Sequence, residues 1–448
     1  MRWDDAVLTT WGRSRFAHVD AAAPSDDAGV AEALRTAHPR GIIAYGGGRC
    51  YGDAALDDGG QALMTRALDR VLSFDAATGQ IVCEAGVTFA QLVREYIPQG
   101  WCFPVSAATA SVTVGGAFAN DIHSKNHHAV GSFGDHVDWI ELMLADGAVK
   151  RCSRNEEAEL FRASLGGIGL TGIVLRVAFR LMRVPSGAAD ARYVPIANVD
   201  AMIDMIEAER PRAGFLFGWT DVMAHGNALG RGILEIGNLA DSEDGMAPPA
   251  PQKRVPFDLP VLAMHPAVLR RFNARRIAKL PPDGRQVRLP LDRFFFPLDS
   301  IAGFNRVYGR RGFYSIHTGF PLATMRAGIR AVIEEISVTG AGSFAAVMKP
   351  MGGAGAGLLS FPVEGMAFAV DLPRRRGIEA LHKRLETLTL DHGGRLYVAK
   401  DALMAAGTYA AMFPNLDEFR AVLARVDPQG RFQSDMSRRL RLRPLADA

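Results

Sequence analysis

One short polar segment holds the greatest concentration of reactive side chains in this chain of 448 residues. Residues 123–128 read His-Ser-Lys-Asn-His-His, with three histidines and a lysine within six positions. His123 and His127 have the i, i+4 spacing of two metal ligands on a helix, but the small polar residues around them disfavour a continuous helix. We therefore expect no metal site. Either the histidines are buried and bonded to backbone carbonyls, or they surround a reactive cofactor, where Lys125 supplies positive charge and a histidine stabilises developing negative charge. We favour the second interpretation.

Three glycine-rich loops lie on either side of that segment. The first, residues 46–53, reads Gly-Gly-Gly-Arg-Cys-Tyr-Gly-Asp. The N–H groups of its glycines can surround an anion, and Arg49 can add a charge-assisted hydrogen bond. Taken alone, this loop is more simply a tight turn that requires glycine. A glycine pair at 115–116 follows the strand-like Val112–Val114, and a third loop spans residues 166–172. Together the loops predict one long ligand that contains a diphosphate.

The third loop contains the pattern Gly-x-Gly-x-x-Gly at Gly167, Gly169 and Gly172. A nicotinamide-binding Rossmann fold needs a strand, the loop and then a helix, so that the diphosphate meets the helix N-terminus. Here a helix ending at Leu165 comes first, and the stretch Ile173–Val184, rich in β-branched and large apolar residues, follows as a strand. The order is reversed, and this disfavours a Rossmann domain.

Length and composition describe an ordinary globular protein of two domains. Its 51 basic and 48 acidic residues give no reason to expect nucleic-acid binding. The first residues lack the basic and apolar regions of a secretory signal, and no run of 18 uncharged apolar residues occurs, so we expect a cytoplasmic protein. The four cysteines have no C-x-x-C spacing, which argues against a zinc ribbon or a disulfide framework.

Short strands and helices are predicted to alternate through the first 185 residues. Gly41–Tyr45 is expected to be a strand that runs into the first glycine loop. Thr88 is the expected N-cap of helix Phe89–Ile97, and Asn155 that of a helix ending at Leu165. Turn residues separate the strands of two expected hairpins, Val71–Asp75 with Gln80–Glu84 and Val137–Ala145 with Ala148–Cys152.

Beyond Pro185 the pattern is that of an α+β domain with an antiparallel sheet. Residues 240–258, rich in proline, glycine and charge, are expected to form a mobile loop. Residues 408–442 are expected to pack back on an earlier part of the chain. The predicted strands are Phe215–Thr220, Gly232–Ile236, Phe344–Met348 and Phe368–Leu372, and the predicted helices lie near Val199–Glu209 and Ala323–Ser337.

The glycine-rich loops resemble the FAD-contacting segments of the vanillyl-alcohol-oxidase-type flavoproteins. Within that superfamily, residues 121–134, 396–401 and 434–440 are similar to the decaprenylphosphoryl-β-D-ribose 2′-oxidase family, and the resemblance covers nearly the whole chain. It implies an α+β fold of the PCMH type. A two-subdomain FAD-binding domain would comprise residues 1–185, completed by residues 395–448, and an α+β substrate domain with an antiparallel sheet would comprise residues 186–394.

The resemblance also implies the activity. An enzyme of this family oxidises a secondary alcohol of a sugar with FAD, here the 2′-hydroxyl of a polyprenylphosphoryl-β-D-ribose to the 2′-keto form. That reaction is the first half of an epimerisation, which a separate NADH-dependent short-chain keto-reductase completes. The alternative is an oxidase or dehydrogenase of a soluble alditol or aldonolactone. His123 stands where related sugar and alditol oxidases attach FAD covalently, but the implied family binds FAD non-covalently, and we expect the same here.

The implied roles fall on particular residues. Lys400 and Tyr51 are the two candidates for deprotonating or orienting the substrate hydroxyl, and His123 and Lys125 for orienting the substrate phosphate or polarising the flavin. The substrate-binding residues are expected to be Trp219, Ser315, His317, Lys349 and Ala369. The FAD-binding residues are expected to be Gly46, Gly47, Gly48, Arg49, Cys50, Tyr51, Gly52, Ala108, Thr109, Val112, Thr113, Gly115, Gly116, Asn120, His123, Asn126, His127, Gly167, Gly169, Gly172 and Ile173.

The chain departs from the family pattern mainly in the substrate pocket. Ser315 and His317 replace a pair of glutamines of the mycobacterial enzymes, Ala369 replaces a pocket cysteine, and Phe217 replaces a smaller residue. Outside the pocket, residues 107–109 are Ala-Ala-Thr where the family has Pro-Gly-Thr. These differences keep the alternative with a soluble substrate open.

A basic, partly apolar segment at residues 259–280 has two interpretations. One side carries apolar residues, and arginines with one lysine surround it. It is either an amphipathic segment that contacts a membrane surface, or a solvated basic helix that packs on the substrate domain. The residues concerned are Val261, Leu262, Val268, Leu269 and Phe272 on the apolar side, with Arg270, Arg271, Arg275, Arg276 and Lys279 around it.

Overall fold

The computed structural model describes residues 1–247 and 252–443, an α+β protein with three main sheets. The strands are β1 Asp4–Thr9, β2 Phe16–Ala22, β3 Ile42–Tyr45, β4 Gln61–Met64, β5 Val71–Asp75, β6 Gln80–Glu84, β7 Trp101–Cys102, β8 Val137–Met143, β9 Val149–Ser153, β10 Ile173–Arg180, β11 Met182–Arg183, β12 Ala188–Ile196, β13 Phe215–Thr220, β14 Gly232–Leu239, β15 Lys253–Arg254, β16 Arg285–Pro290, β17 Ile301–Ala302, β18 Phe313–Pro321, β19 Ala346–Met351, β20 Gly365–Pro373 and β21 Arg395–Leu396.

The helices lie between these strands and at the C-terminal end of the described chain. They are α1 Asp27–Arg35, α2 Phe89–Tyr96, α3 Val114–Ala119, α4 His127–Val130, α5 Ala158–Ser164, α6 Val199–Glu209, α7 Pro266–Ile277, α8 Leu291–Phe295, α9 Met325–Thr339, α10 Ile378–Asp391, α11 Ala406–Met412, α12 Leu416–Val426 and α13 Asp435–Arg439. Within the described part of the chain, no helix is long and apolar enough to cross a membrane.

Two of the main sheets are built from the first 183 residues, and β7 pairs with β11 in a small two-stranded sheet. A four-stranded sheet has the order β1-β2-β4-β3, with β4 parallel to both of its neighbours. A five-stranded antiparallel sheet has the order β5-β6-β10-β8-β9. Both predicted hairpins are confirmed in this second sheet, the first with the predicted bounds. Thr88 caps α2 as expected, because its hydroxyl accepts a hydrogen bond from the Gln91 N–H.

An eight-stranded antiparallel sheet forms the centre of the remaining chain. Its order is β16-β12-β14-β13-β19-β20-β18-β21. Helices α6 and α9 cover one face: a side chain at Gly218 of β13 would meet Met202 of α6, and Phe320 of β18 packs on Gly328 of α9. Because side chains alternate along a strand, the residues next to Gly218 and Phe320 point to the opposite face, which is free to line a cavity. The predicted α+β class is confirmed.

Two local predictions are wrong. Val112–Val114 does not form a strand before the second glycine pair. Instead α3 begins at Val114, and Thr113 is its N-cap, since the Thr113 hydroxyl accepts a hydrogen bond from the Gly116 N–H. Asn155 does not cap α5, which begins only at Ala158, after Glu157 adopts a left-handed conformation with φ +47°. Instead, Ser153 Oγ accepts the Asn155 N–H in a local turn.

The C-terminal segment packs against the first sheet, as predicted. Phe432 pairs with Ile42 of β3 and is fully buried in a cluster with Val30 and Leu34 of α1. The predicted mobile loop at 240–258 falls partly outside the described residues, because 248–251 are not described. Of its remainder, β15 pairs with β17 in parallel. The mobility of this loop stays a prediction.

Candidate active site

A cavity of about 500 Å³ lies between the glycine loops and the free face of the eight-stranded sheet. Its walls come from both halves of the chain, since residues 46–51, 106–125 and 168–174 meet side chains of β13, β14, β19, β20 and β18 there. Volumes of this size hold ligands in many proteins. Most of the predicted site residues therefore lie around one space.

The glycines of the first two loops allow these loops to approach each other closely. A side chain at Gly46 would place its Cβ 2.6 Å from Thr113 Oγ1, and one at Gly47 would overlap Ser111 O. Gly48 adopts φ +63°, a conformation that favours glycine. The N–H groups and small side chains of both loops therefore border one narrow part of the cavity, and no larger residue would fit at these positions.

Several polar atoms in the cavity wall are buried without a protein partner. Among the described residues these atoms include Arg49 Nε, Asn120 Oδ1, His123 Nδ1 and His317 Nδ1. Buried polar groups are almost always hydrogen-bonded, and an unpaired group costs about 1–3 kcal/mol. Four such atoms around one cavity indicate that it binds a ligand with several polar groups.

The sheet contributes a row of side chains that crosses five neighbouring strands. Trp219 of β13 lies opposite Ile233 of β14 and Val347 of β19. Val347 lies opposite Ala369 of β20, and Ala369 lies opposite His317 of β18. All five residues line the cavity. This row brings the predicted residues Trp219, Ala369 and His317 onto one surface although 150 residue positions separate the first two.

Lys400 and Tyr51 lie together at one end of that row. The Lys400 Nζ atom is 5.0 Å from the centre of the Tyr51 ring, over its face. Burial lowers the pKa of Lys400, while the nearby Asp371 carboxylate acts in the opposite direction. Burial and the charge of Asp371 raise the pKa of Tyr51 well above its ordinary value. The lysine is thus driven towards its neutral amine and the tyrosine towards its protonated phenol.

Asp371 is a cavity residue that sequence reasoning did not identify. Burial raises the pKa of its carboxyl to about 6, against the lowering influence of Lys400 and of the hydrogen bond from Tyr308. The Tyr308 hydroxyl donates to Asp371 Oδ2 over 3.1 Å. A single carboxylate within the apolar strand β20 was the available signal, since buried acids without an ion pair often belong to functional sites.

Two histidines and a second lysine complete this end of the cavity. The Lys349 ammonium donates to His123 O over 3.3 Å, and burial together with Lys400 lowers the pKa of Lys349 well below its ordinary value. Burial and the neighbouring lysines also lower the pKa values of His123 and His317. These side chains are potential cations whose pKa values are all lowered, so the group favours an anion or a developing negative charge.

A second polar cluster lies towards the other end of the row. Lys125 forms an ion pair with Glu235 and donates to Phe294 O over 2.7 Å. The Arg276 guanidinium stacks over the Trp219 ring at 4.3 Å. Glu235 and Arg276 line the cavity but were not predicted. Glu235 is a lone acid in the apolar strand β14, which was a detectable signal, whereas nothing local marks Arg276 among the other arginines of α7.

Six predicted residues do not line the cavity, for local reasons. Gly52 packs against the backbone of Asp401, and Gly167 against that of Ala163, where any side chain would overlap a carbonyl. The other four have protein partners. The Asn126 amide donates to Pro104 O, His127 Nδ1 accepts the Gly352 N–H, Ser315 Oγ donates to Val370 O, and Ile173 is buried in the core with Leu34.

An ion-pair network outside the cavity holds Tyr51 and Lys400 together. Arg439 of α13 donates to both carboxylate oxygens of Asp53, over 2.9 and 2.7 Å, and its Nη1 lies 2.9 Å from Asp401 Oδ2. Such forked pairs fix geometry as well as contribute energy. The C-terminal helix therefore connects a residue just after Tyr51 to the residue after Lys400.

Within the described residues, no group of three or more His, Cys, Asp or Glu side chains is arranged to hold a metal ion. The side chains that could take part in a reaction are the polar residues that line the cavity.

Two known protein families match different parts of this chain. A family model described as "FAD binding domain" matches residues 21–153, and one described as "D-arabinono-1,4-lactone oxidase" matches residues 366–440. The first match includes the first two glycine loops, and the second includes Ala369, Asp371 and Lys400.

Three relatives illustrate the range of similarity. Decaprenylphosphoryl-beta-D-ribose oxidase of Mycolicibacterium smegmatis is 34% identical over 453 residues, which cover 97% of each chain. An uncharacterized protein of Streptomyces coelicolor is 31% identical over 372 residues, 80% of this chain and all of that protein. L-gulonolactone oxidase of Mus musculus is 30% identical over 149 residues, 33% of each chain.

The fold, the glycine-loop cavity and these matches define an FAD-dependent oxidoreductase. The residues present fit the cofactor, since closely packed glycine loops, Arg49 and the unpartnered Asn120 and His123 atoms border one elongated space. The chain belongs to the flavoprotein family of decaprenylphosphoryl-beta-D-ribose oxidase, within the vanillyl-alcohol oxidase superfamily.

Proposed function

We propose that this enzyme oxidises the 2′-hydroxyl of a polyprenylphosphoryl-β-D-ribose to the 2′-ketone. The full-length similarity to a decaprenylphosphoryl-beta-D-ribose oxidase is the observation that carries the proposal. The cavity supports it, because a group of buried lysines and histidines that favours an anion lies next to a candidate base. A phosphoryl sugar has an anion close to its 2′-hydroxyl.

Oxidation of the alcohol removes a hydride from carbon and a proton from oxygen, and a C=O bond forms. FAD, when bound, accepts the hydride. In our proposal the proton goes to Lys400 Nζ, because burial lowers the pKa of this lysine and so favours the neutral amine that can accept a proton. Tyr51 keeps its proton, because burial raises its pKa, and so donates a hydrogen bond instead of acting as the base. Lys400 is thereby preferred over Tyr51.

We assign the cofactor's diphosphate to the first two loops, where Gly46, Gly47 and Arg49 face Gly115 and Gly116. Backbone N–H groups and one guanidinium supply the donors that phosphate oxygens need. The flavin would lie further along the cavity, near Asn120 and His123. The other proposed cofactor contacts that line the cavity are Gly48, Cys50, Ala108, Thr109, Val112, Thr113, Gly169 and Gly172.

We assign the phosphate of the substrate to Lys349 and not to Lys125. Lys125 is already neutralised by its ion pair with Glu235, whereas Lys349 has only a backbone carbonyl as its partner among the described residues. An anion beside Lys349 would restore its charge and offset the cost of burying it. His317, Ala369 and Trp219 would then contact the sugar and the start of the lipid.

The base assignment is tested by replacing Lys400 and Tyr51 separately. We expect Lys400→Met to retain FAD but to lose at least ~100-fold in the rate of flavin reduction, the usual scale for loss of a general base. Tyr51→Phe removes one hydrogen bond, and its loss should stay within about tenfold. The measurement is anaerobic single-turnover bleaching of the flavin absorbance with a short-chain phosphoryl ribose. Near-normal reduction by Lys400→Met would exclude Lys400 as the base.

A soluble alditol or aldonolactone is the second candidate substrate. It is favoured by the match of residues 366–440 to a D-arabinono-1,4-lactone oxidase model, which includes Lys400 and the cavity strand β20. The same bleaching assay separates the two candidates. Reduction by free alditols or aldonolactones, with none by phosphoryl ribose, would replace our proposal by the second.

The product and the source of the substrate imply two partners. A 2′-ketone is returned to an alcohol of opposite configuration by reduction from the other face, so we propose an NADH-dependent short-chain keto-reductase as the next enzyme. A polyprenyl chain is held in a lipid bilayer, so we also propose that the enzyme is cytoplasmic and works at a membrane surface. A coupled assay that follows NADH consumption in the presence of such a reductase tests the first partner.

A further inference from the structure

Exposed apolar side chains are concentrated in one short part of this protein. Phe257, Val261 and Leu262 are 63%, 74% and 69% exposed, and Val268 and Phe272 are also exposed. These five residues, which we call the apolar patch, lie within 16 positions of the sequence. Isolated exposed apolar residues are normal, but a group of them indicates an interaction surface.

The apolar patch lies over a buried hydrophobic cluster. Met264 and Leu269, between its members, are buried in a cluster with Tyr308 and Phe313. Leu269 was predicted to share one side of the segment with Val261, Leu262, Val268 and Phe272, but it is buried on the inner side of α7. Val268 and Phe272 are at positions i and i+4 and share the outer side of the helix. The patch is therefore held outward by the fold.

Positive charge surrounds the apolar patch. Residues 252–280 contain seven lysines and arginines and one acid, Asp258. Arg270, Arg271, Arg275 and Lys279 are exposed, and none of them forms an ion pair with a residue that the structure describes. Asp258 itself is paired with Arg13. A mixture of exposed apolar groups and free cations matches the surface of a bilayer that contains anionic lipids.

The apolar patch is continuous with the cavity wall. The Phe272 ring lies 5.9 Å from the Phe344 ring, which lies 5.7 Å from the ring of Phe304, a cavity residue. From the inner side of the same helix, Arg276 reaches the cavity and covers Trp219. A lipid chain that crosses the patch would thus meet apolar side chains on its way to the sugar site.

We propose that the apolar patch and its arginines bind the surface of an anionic phospholipid bilayer, with the cavity opening towards it. The five apolar side chains enter the boundary between headgroups and acyl chains, and the arginines contact the phosphates, with their long stems along the apolar layer. This inference extends the proposed function only in naming where the lipid-linked substrate is taken up. The binding itself does not depend on which sugar is oxidised.

The test is co-sedimentation of the FAD-loaded protein with vesicles of phosphatidylglycerol or phosphatidylcholine. We expect binding to phosphatidylglycerol vesicles that weakens with added salt, and little binding to phosphatidylcholine. The double variant Val261→Ser/Leu262→Ser should bind at least about tenfold more weakly, because it removes two apolar anchors. Arg271→Gln/Arg275→Gln should weaken binding similarly. Val338→Ser is the matched control, since Val338 is 88% exposed on α9, outside the patch, and its binding should be unchanged.

Two results would overturn the proposal: no binding of the unaltered protein to phosphatidylglycerol vesicles at low salt, or equal binding by the patch variants. Flavin reduction by a water-soluble, short-chain phosphoryl ribose is measured in parallel and should be the same in all variants. Failure of that reaction in the unaltered protein would contradict the proposed function. The result of the vesicle experiment would still hold, because it does not depend on the substrate.

Discussion

Two opposing influences act on the ammonium group of Lys400. Burial lowers its pKa, and the charge of Asp371 raises it. The lysine accepts a proton only as the neutral amine, so the rate of substrate oxidation should rise with pH through the pKa of Lys400. We therefore expect Asp371 to shift the pH range of the reaction through its effect on the pKa of Lys400.

This balance predicts the behaviour of Asp371→Asn. Removing the carboxylate removes the influence that raises the pKa of Lys400, so that pKa falls. The acidic limb of the pH–rate profile should therefore move to lower pH, by about one unit for a charge several ångströms away. The profile is measured as anaerobic flavin reduction between pH 5 and 9 in steps of about 0.5.

Asp121→Asn is the matched control for that experiment. Burial raises the pKa of Asp121 to about 6, as it does for Asp371, but Asp121 does not act on Lys400. Its left-handed backbone, φ +41°, is one that asparagine tolerates well. An unshifted profile in Asp371→Asn, or an equal shift in both variants, would contradict the pairing of Asp371 with Lys400.

At the scale of elements, helix α13 holds two parts of the site together through Arg439. Arg439 binds Asp53 at the end of the first glycine loop and Asp401 beyond β21. Arg439→Lys should keep the positive charge but lose the paired hydrogen bonds to the Asp53 carboxylate. Tyr51 and Lys400 would then be held less precisely beside each other. Small misplacements of reacting groups cost up to about 100-fold in rate. We expect kcat for flavin reduction to fall about 10- to 100-fold while KM changes little.

Arg443→Lys separates this positioning role from general support of the C-terminal segment. Arg443 also pairs with a buried carboxylate, Asp427, but lies away from Tyr51 and Lys400. Its thermal midpoint should fall about as far as that of Arg439→Lys, with kcat preserved. An equal loss of kcat in both variants would show that Arg439 only supports the fold and does not position Tyr51 and Lys400.

The elements also show what a local sequence pattern can predict. The helix capped by Thr88 and strands β5, β6 and β13 were predictable, because their caps, turns and periodicity are contained within a few residues. The helix at Val114 was not, since β-branched residues and two glycines disfavour a helix locally. It forms because Val114 and Phe118 are fully buried in the main core, and tertiary packing outweighs propensity.

At the scale of the whole molecule, the site depends on strand order. The glycine loops and Lys400 could be recognised as motifs, but Asp371, Glu235 and Arg276 could not. Asp371 and Glu235 enter the site because the order β14-β13-β19-β20-β18 sets distant segments side by side, and Arg276 enters it from α7. No short stretch of sequence specifies that arrangement. The division into residues 1–185 with 395–448 and residues 186–394 stays a prediction.

Non-covalent attachment of FAD is a testable property of the assembled protein. His123, the residue that could tether the cofactor, is buried with an unpartnered Nδ1, and burial keeps it neutral. We expect acid precipitation to release all flavin absorbance into the supernatant. A yellow, flavin-bearing pellet would show a covalent bond, and His123→Ala would then identify its site.

Releasing FAD gently should also lower the thermal midpoint, because a ligand that binds only the folded state stabilises it. At a free FAD concentration 100 times Kd the contribution is about 2.7 kcal/mol. Adding FAD back should restore the midpoint. An unchanged midpoint would contradict specific binding of FAD to the folded state.

The contact between Arg439 and Asp53 has a consequence for the timing of synthesis. Roughly 390 residues separate Tyr51 from Arg439. A ribosome that adds about 5–20 residues per second needs roughly 20–80 s to cover that distance. During this interval the first glycine loop exists without its contact to Arg439. The arrangement of Tyr51 beside Lys400 is therefore completed only after residues 400–439 have been synthesised.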